Sequence, residues 1–158
     1  ALVNPAGPPV GVAVAEAASA PASATYAMRQ ADIDRLCGGD SVADVQAALH
    51  GADDAPWAER AARDIEKRSP LALVAFLAAV RGARDLESLE EALNIEFRLS
   101  TRFYASGEML EGVRALIIDK DRAPVWRFAT AEAVTDDAVA ELFAPLTERD
   151  ELGLTPPA

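Results

Sequence analysis

From residue 26 onward apolar positions recur every three or four residues and nowhere alternate convincingly by two, so the chain predicts helices and no strands. Tyr26 to Cys37 carries Met28, Ile33 and Leu36 at rough helical spacing, and Gly38-Gly39 ends that run. Ser41 caps a second helix with Val42, Val45 and Leu49 on one face, closed by His50-Gly51. Asp53 or Asp54 caps a third, with Pro56 in its first turn and Trp57, Ala61 and Ile65 four residues apart, ending near Arg68. Ser69-Pro70 is the clearest start signal: a capping hydroxyl with proline at the first helical position. The helix it opens, Leu71 to Val80, is apolar nearly all round and demands cover on most sides. Ser88 and Glu91 have the spacing of a capping box and open the longest helix, to about Tyr104. Ser106-Gly107 interrupts the chain, Glu108 to Ile118 forms another helix, and Thr135 caps a last one through Val139, Leu142 and Phe143 to Pro145. The expectation is an all-α fold of six or seven short helices without internal repeats. It divides into an Ala/Pro-rich linker or arm over 1–25, a helical domain over 26–145 and a frayed tail over 146–158.

Composition and the apolar runs sharpen this picture. The 158 residues suit one domain, and although 51% are hydrophobic, 35 are alanines, which favour helix but bury little. A net charge of −11 opposes binding to a phosphate backbone, so no nucleic-acid partner is expected. A local cationic site for a small anion is unaffected by that sum. A single cysteine and a single histidine exclude an internal disulfide, a cysteine-based zinc site and a histidine cluster. The longest dense apolar run is too short to span a bilayer, and the apolar N-terminus lacks the basic start of a secretory signal. The first residue is Ala rather than Met, so a processed product or a fragment is expected, in the cytoplasm and without a membrane partner.

Four places hold candidate chemistry. Glu96 falls within the apolar face of helix 88–104, and Arg114 lies along the apolar face of the next helix, set by Leu110, Val113, Leu116 and Ile117. A buried carboxylate must be paired or neutralised, so Glu96 and Arg114 are expected to form a structural ion pair that fixes helix register. Cys37 has no group to lower its thiol pKa and reads as a buried or half-buried bystander. His50 ends a helix, where a cation favours the dipole. Asp119 to Arg127 brings three cations and Trp126 just past a helix C-terminus, either as a solvated end with the indole as anchor or as a contact to an anionic ligand.

Ile95-Glu-Phe-Arg-Leu-Ser100, Glu111-Gly-Val-Arg-Ala-Leu-Ile-Ile-Asp-Lys-Asp121 and Pro124-Val-Trp126 together resemble the C-terminal part of the crotonase (enoyl-CoA hydratase/isomerase) superfamily, in its 3-hydroxyisobutyryl-CoA hydrolase branch. The Lys67-Arg-Ser-Pro-Leu-Ala-Leu73 helix start fits that resemblance, as does the helical stretch Ala31 to Glu66, and the match covers roughly residues 30–143. Ile118-Asp-Lys-Asp-Arg122 stands where hydratases usually carry a more basic stretch. The resemblance implies an acyl-CoA thioester hydrolase of branched amino-acid breakdown, with coenzyme A as part of the substrate and no covalently bound cofactor. It also implies that the β-rich spiral core, with its oxyanion hole and catalytic acids, is absent from this chain. No catalytic residue is therefore expected here. By the same analogy Lys120 and, less directly, Arg122 meet the phosphates of coenzyme A. The implied partners are an N-terminal crotonase core, on the same parent chain or a separate one, the acyl-CoA, and possible further subunits. Two alternatives stay open: the C-terminal portion of an enoyl-CoA hydratase/isomerase, and a non-catalytic helical interaction module.

Overall fold

The computed structural model describes residues 10–19, 24, 26–147 and 149–155. All regular elements among them are helical: eight α-helices, three 3-10 turns and one π-turn. None of these helices is long and apolar enough to cross a membrane. The chain divides into two compact units, residues 1–35 and 36–158.

The first unit holds α1 (Val10–Ala17), a 3-10 turn (Ala27–Arg29) and most of α2 (Gln30–Leu36). Helix α1 is the element that takes the count beyond six or seven. It lies where the composition suggests an unstructured linker; Ala13, Ala15, Glu16 and Ala17 favour helix there, against three valines and Gly11. Its described residues are exposed, Val12 and Val14 included.

In the second unit, α3 (Val42–His50) begins with a reciprocal capping box: Asp44 N donates to Ser41 Oγ at 3.1 Å and Ser41 N donates to Asp44 Oδ2 at 3.0 Å. Helix α4 (Pro56–Ile65) starts without a side-chain cap, from Ala55 rather than Asp53 or Asp54. The aspartates fall one or two residues early, and proline at the first position needs no capped amide. Leu36, Leu49, Ala55, Ala58 and Ala62 form the core between α3 and α4, with Trp57, Ala61 and Ile65 half-buried against it.

Helix α5 (Pro70–Gly82) is capped by Ser69, whose Oγ accepts from Ala72 N at 3.1 Å. Helix α6 (Leu89–Ala105) is capped by Ser88, but the box is not reciprocal: Glu91 Oε2 accepts from Glu87 N at 2.9 Å, one residue before the cap. Helix α7 (Glu108–Val113) runs into a π-turn, Arg114–Ile118, where Asp119 N donates to Arg114 O at 2.8 Å. Helix α8 (Asp136–Phe143) has Thr135 as its cap and closes α5 and α6 from one side. Leu71, Ala75, Leu99, Ala138 and Leu142 form this second core, with Ile95, Phe103, Phe128 and Phe143 packed around it.

The tail is tied down rather than frayed over its described residues. Asn94, Arg98 and Arg102 line one stripe of α6 at four-residue spacing; the first two hold the tail and the third holds the residue just before it. Asn94 exchanges two hydrogen bonds with the Leu154 backbone at 2.9 and 3.1 Å. Arg98 Nε meets Glu151 Oε1 at 2.8 Å, and Arg102 donates to the Pro145 carbonyl at 3.1 Å.

Candidate functional site: an apolar cavity with a cationic rim

Helices α5, α6 and α7 do not close on one another. They leave an open cavity of about 790 Å³, walled mainly by apolar side chains such as Phe76, Leu99, Phe103, Met109, Leu116 and Trp126. This explains the fate of the apolar faces expected to be covered. Phe76 is 69% exposed, Leu116 61% and Ile117 60%, so the largest apolar groups of α5 and of the π-turn after α7 line open space rather than a core. The polar groups at the cavity are few: Lys67, Arg68, Glu96 and Arg122 among them.

Two carboxylates of α7 build the rim. Glu108 is 6% exposed, and burial of a carboxylate requires donors. Ser69 Oγ donates to one of its oxygens, and Arg127 N donates to the other at 2.8 Å, so one side chain joins the start of α5 to the chain beyond the π-turn. Glu111 accepts a two-pronged contact from Arg114, Nη2 to Oε1 at 2.7 Å and Nε to Oε2 at 2.9 Å, and also accepts from Val125 N at 2.7 Å. The Arg114 fork, then the Val125 amide, bring its pKa down from 4.5 to about 2.

The same guanidinium reaches forward. Arg114 Nη1 lies 2.7 Å from both Asp119 Oδ2 and Asp121 Oδ2, and Nη2 donates to the Ala123 carbonyl at 3.1 Å. Hydrogen bonds to Glu111 first, then to Asp121 and Asp119, push the Arg114 pKa up, while Arg114 holds that of Asp121 below its ordinary value. Beside this cluster the backbone of Lys120 and of Arg122 is left-handed, with φ of 58° and 56°. For residues with a Cβ that conformation costs about 1–2 kcal/mol each, so the surrounding bonds must impose it. Arg122 N donates to the Ala115 carbonyl at 3.0 Å, and Ala123 N to Asp121 Oδ1 at 2.9 Å. The Trp126 ring seats on Gly112: a Cβ there would lie 3.3 Å from its edge.

The expected Glu96–Arg114 ion pair does not form. Arg114 is claimed by Glu111, Asp119 and Asp121, all within seven residues, and Glu96 is exposed on the cavity wall, where water removes the need for a partner. The acid at i−3 was the available signal: Glu111 and Arg114 have the spacing of a helical ion pair. Of the expected phosphate contacts, Arg122 lines the cavity and Lys120 is exposed two residues before it. His50 does more than end a helix. Its ring nitrogens meet Glu59 Oε2 at 3.0 Å and Glu66 Oε1 at 2.9 Å, clamping α3 to α4. Cys37 is exposed rather than buried, and desolvation raises its thiol pKa, which leaves it a poor nucleophile. Among the described residues no group of three or more His, Cys, Asp or Glu is arranged to hold a metal ion.

Comparison with known proteins places this geometry. Residues 10–143 match the family model of enoyl-CoA hydratase/isomerase. The mitochondrial 3-hydroxyisobutyryl-CoA hydrolase of Dictyostelium discoideum is 31% identical over 121 residues, 77% of this chain and 32% of that protein. A carnitinyl-CoA dehydratase from Mycobacterium thermoresistibile superposes with a TM-score of 0.77 at 40% identity, over 88% of this chain and 39% of its own. An enoyl-CoA hydratase from Rhodobacter sphaeroides 2.4.1 gives the same TM-score at 36% identity, over 90% and 43%. The chain thus spans about a third of the Dictyostelium relative's length. It belongs to the enoyl-CoA hydratase/isomerase (crotonase) family, as a 3-hydroxyisobutyryl-CoA hydrolase-like member.

Proposed function

We propose that the chain is the C-terminal helical portion of an acyl-CoA thioester hydrolase of the 3-hydroxyisobutyryl-CoA type, acting in branched amino-acid breakdown. The observation that carries this reading is the open apolar cavity with Arg122 at its wall; Lys120 is exposed two residues earlier in the chain. An acyl-pantetheine arm suits the apolar wall, and the phosphates of coenzyme A suit the two cations. Coenzyme A enters as part of the substrate, with no covalent cofactor. Hydrolysis of a thioester also needs preorganised donors for the developing oxyanion. Neither His50 nor Cys37 lines the cavity, and on this proposal the catalytic groups sit on a crotonase core outside these 158 residues. The uncovered Phe76, Leu116 and Ile117 support such a covering partner, on the same parent chain or a separate one. The proposed compartment is the cytoplasm, in contrast to the mitochondrial relative, and cell fractionation decides it.

The test is an intact-mass determination on the purified sample, followed by a thiol-release assay with 3-hydroxyisobutyryl-CoA. The chain alone is expected to show no hydrolysis, and its complex with a core polypeptide to release coenzyme A. Hydrolysis by the 158 residues alone would sink the reading. A second reading, an enoyl-CoA hydratase/isomerase portion, is favoured by the names of the two structural neighbours. It predicts that the same complex removes the double bond of an enoyl-CoA without releasing thiol. Failure of both assays on an intact complex leaves the non-catalytic interaction module.

A further inference from the structure

The segment Asp119-Lys-Asp-Arg122 alternates acid and base, so its charges should cancel among themselves. They do not. Both aspartates are bound by Arg114, while Lys120 and Arg122 make no ion pair among the described residues. Arg114 therefore sorts the alternation: it occupies the acids and leaves Arg122, on the cavity wall, and the exposed Lys120 without an acid partner. It also holds Glu111, so a single guanidinium bridges three carboxylates and fixes where their oxygens point.

The backbone tells the same story. Lysine and arginine have no intrinsic preference for the left-handed region, which glycine and asparagine adopt far more readily. Such strain persists where surrounding bonds over-determine it, and it gathers at ligand clamps. Here the over-determination is visible, since Arg114 bonds to the residues on both sides of Lys120 and to the Ala123 carbonyl just beyond Arg122.

We infer that Arg114 is the positioning residue of the cationic rim: it holds Lys120 and Arg122 in their left-handed conformation and keeps them free to meet the phosphates of an acyl-CoA. This rests on the coenzyme A reading above, and the experiment separates the two. Isothermal titration calorimetry on the 158-residue chain uses two probes, coenzyme A and pantetheine, which lacks the nucleotide phosphates. Arg114→Gln is expected to weaken coenzyme A binding about tenfold, the scale of one charge-assisted hydrogen bond, and to leave pantetheine unchanged. The Lys120→Ala/Arg122→Ala double variant should lose at least as much, and Arg60→Gln, an exposed charge elsewhere, should lose nothing. In NMR spectra of the free protein, Arg114→Gln should move the Cα shifts of Lys120 and Arg122 out of the left-handed range.

A coenzyme A loss in the double variant with none in Arg114→Gln overturns the positioning role and keeps the coenzyme A reading. Equal losses for coenzyme A and pantetheine in Arg114→Gln signify general collapse, and the decision then passes to a milder variant. No binding of coenzyme A to the unaltered chain overturns the reading itself, and the inference with it. Asp121→Asn, which leaves the Glu111 fork in place, guards against misfolding of the first variant. A selective loss of about threefold supports the role, and no loss overturns it.

Discussion

The α3–α4 pair and the α5–α7 face use similar apolar content to opposite ends. In the first, the apolar side chains are inside or packed against the inside: Leu49 is 1% exposed, Ala58 and Ala62 are fully covered, and Trp57, Ala61 and Ile65 are half-buried beside them. In the second, Leu71 and Ala75 are covered while the aromatic beside them, Phe76, stands 69% exposed above the cavity. The difference teaches that an apolar pattern states what must be removed from water, and only the neighbours decide whether this chain removes it. A face left open at this scale asks for something else to cover it.

The largest expected effect comes from breaking the covered side of that contrast. Leu49→Ala and Leu71→Ala should each lower stability by about 2–5 kcal/mol in urea unfolding, whereas Phe76→Ser in the same chain should change it by less than about 0.5 kcal/mol. A loss for Phe76→Ser as large as for Leu71→Ala would show that the cavity face is covered in solution, for instance by a second copy.

Next in size is Ser69→Ala. It deletes the α5 cap and one of the donors to the buried Glu108, so a cost of about 1–3 kcal/mol is expected from the same unfolding curves. A cost under about 0.5 kcal/mol would mean that water replaces the hydroxyl.

Gly112→Ala is a smaller probe. Alanine improves helix propensity by about 1 kcal/mol, but its methyl presses on Trp126, so little net change in stability is expected. The readout is local: in a Trp57→Phe background, Trp126 emission should shift to the red as the ring lifts. Unchanged emission would show that the indole has room to slide.

The smallest effect is a pH dependence, which near neutrality lies on the α3–α4 side. Hydrogen bonds to Glu59, then Glu66, raise the His50 pKa above its ordinary 6.5, so the folded state favours the imidazolium. Its stabilisation is complete below 6.5 and is lost as pH rises through the elevated folded value. Thermal melts across that window should fall for the unaltered chain and flatten in His50→Gln. On the acid side the sign reverses. Glu111, depressed to about 2, supplies stability that is present above 4.5 and disappears as pH falls towards 2.

Local physics made much of this legible in the sequence. Ser41, Ser69, Ser88 and Thr135 all cap helices where their hydroxyls predict, because a cap needs only a few neighbouring residues. The resemblance carried by Glu111 to Asp121 likewise marked the segment that builds the rim. What stayed hidden depended on how elements meet. The apolar faces of α6 and α7 suggested a buried Glu96–Arg114 pair, but the helices leave that space open and Arg114 finds nearer acids. The tail looked frayed because its anchors, Asn94 and Arg98, lie about 60 and 53 residues earlier in the chain.

The π-turn gives this region an unusual sensitivity to a gap of one residue. By donating back to Arg114, the amide of Asp119 skips the carbonyl of Ala115, and the amide of Arg122 takes that carbonyl instead. Ordinary α winding would return it to Asp119 and evict Arg122. Deleting a single residue between Val113 and Asp119 is thus a change of pitch rather than a shortened loop. The helix would regain its regular phase, and the strand of chain beyond it would lose the peg on which it hangs.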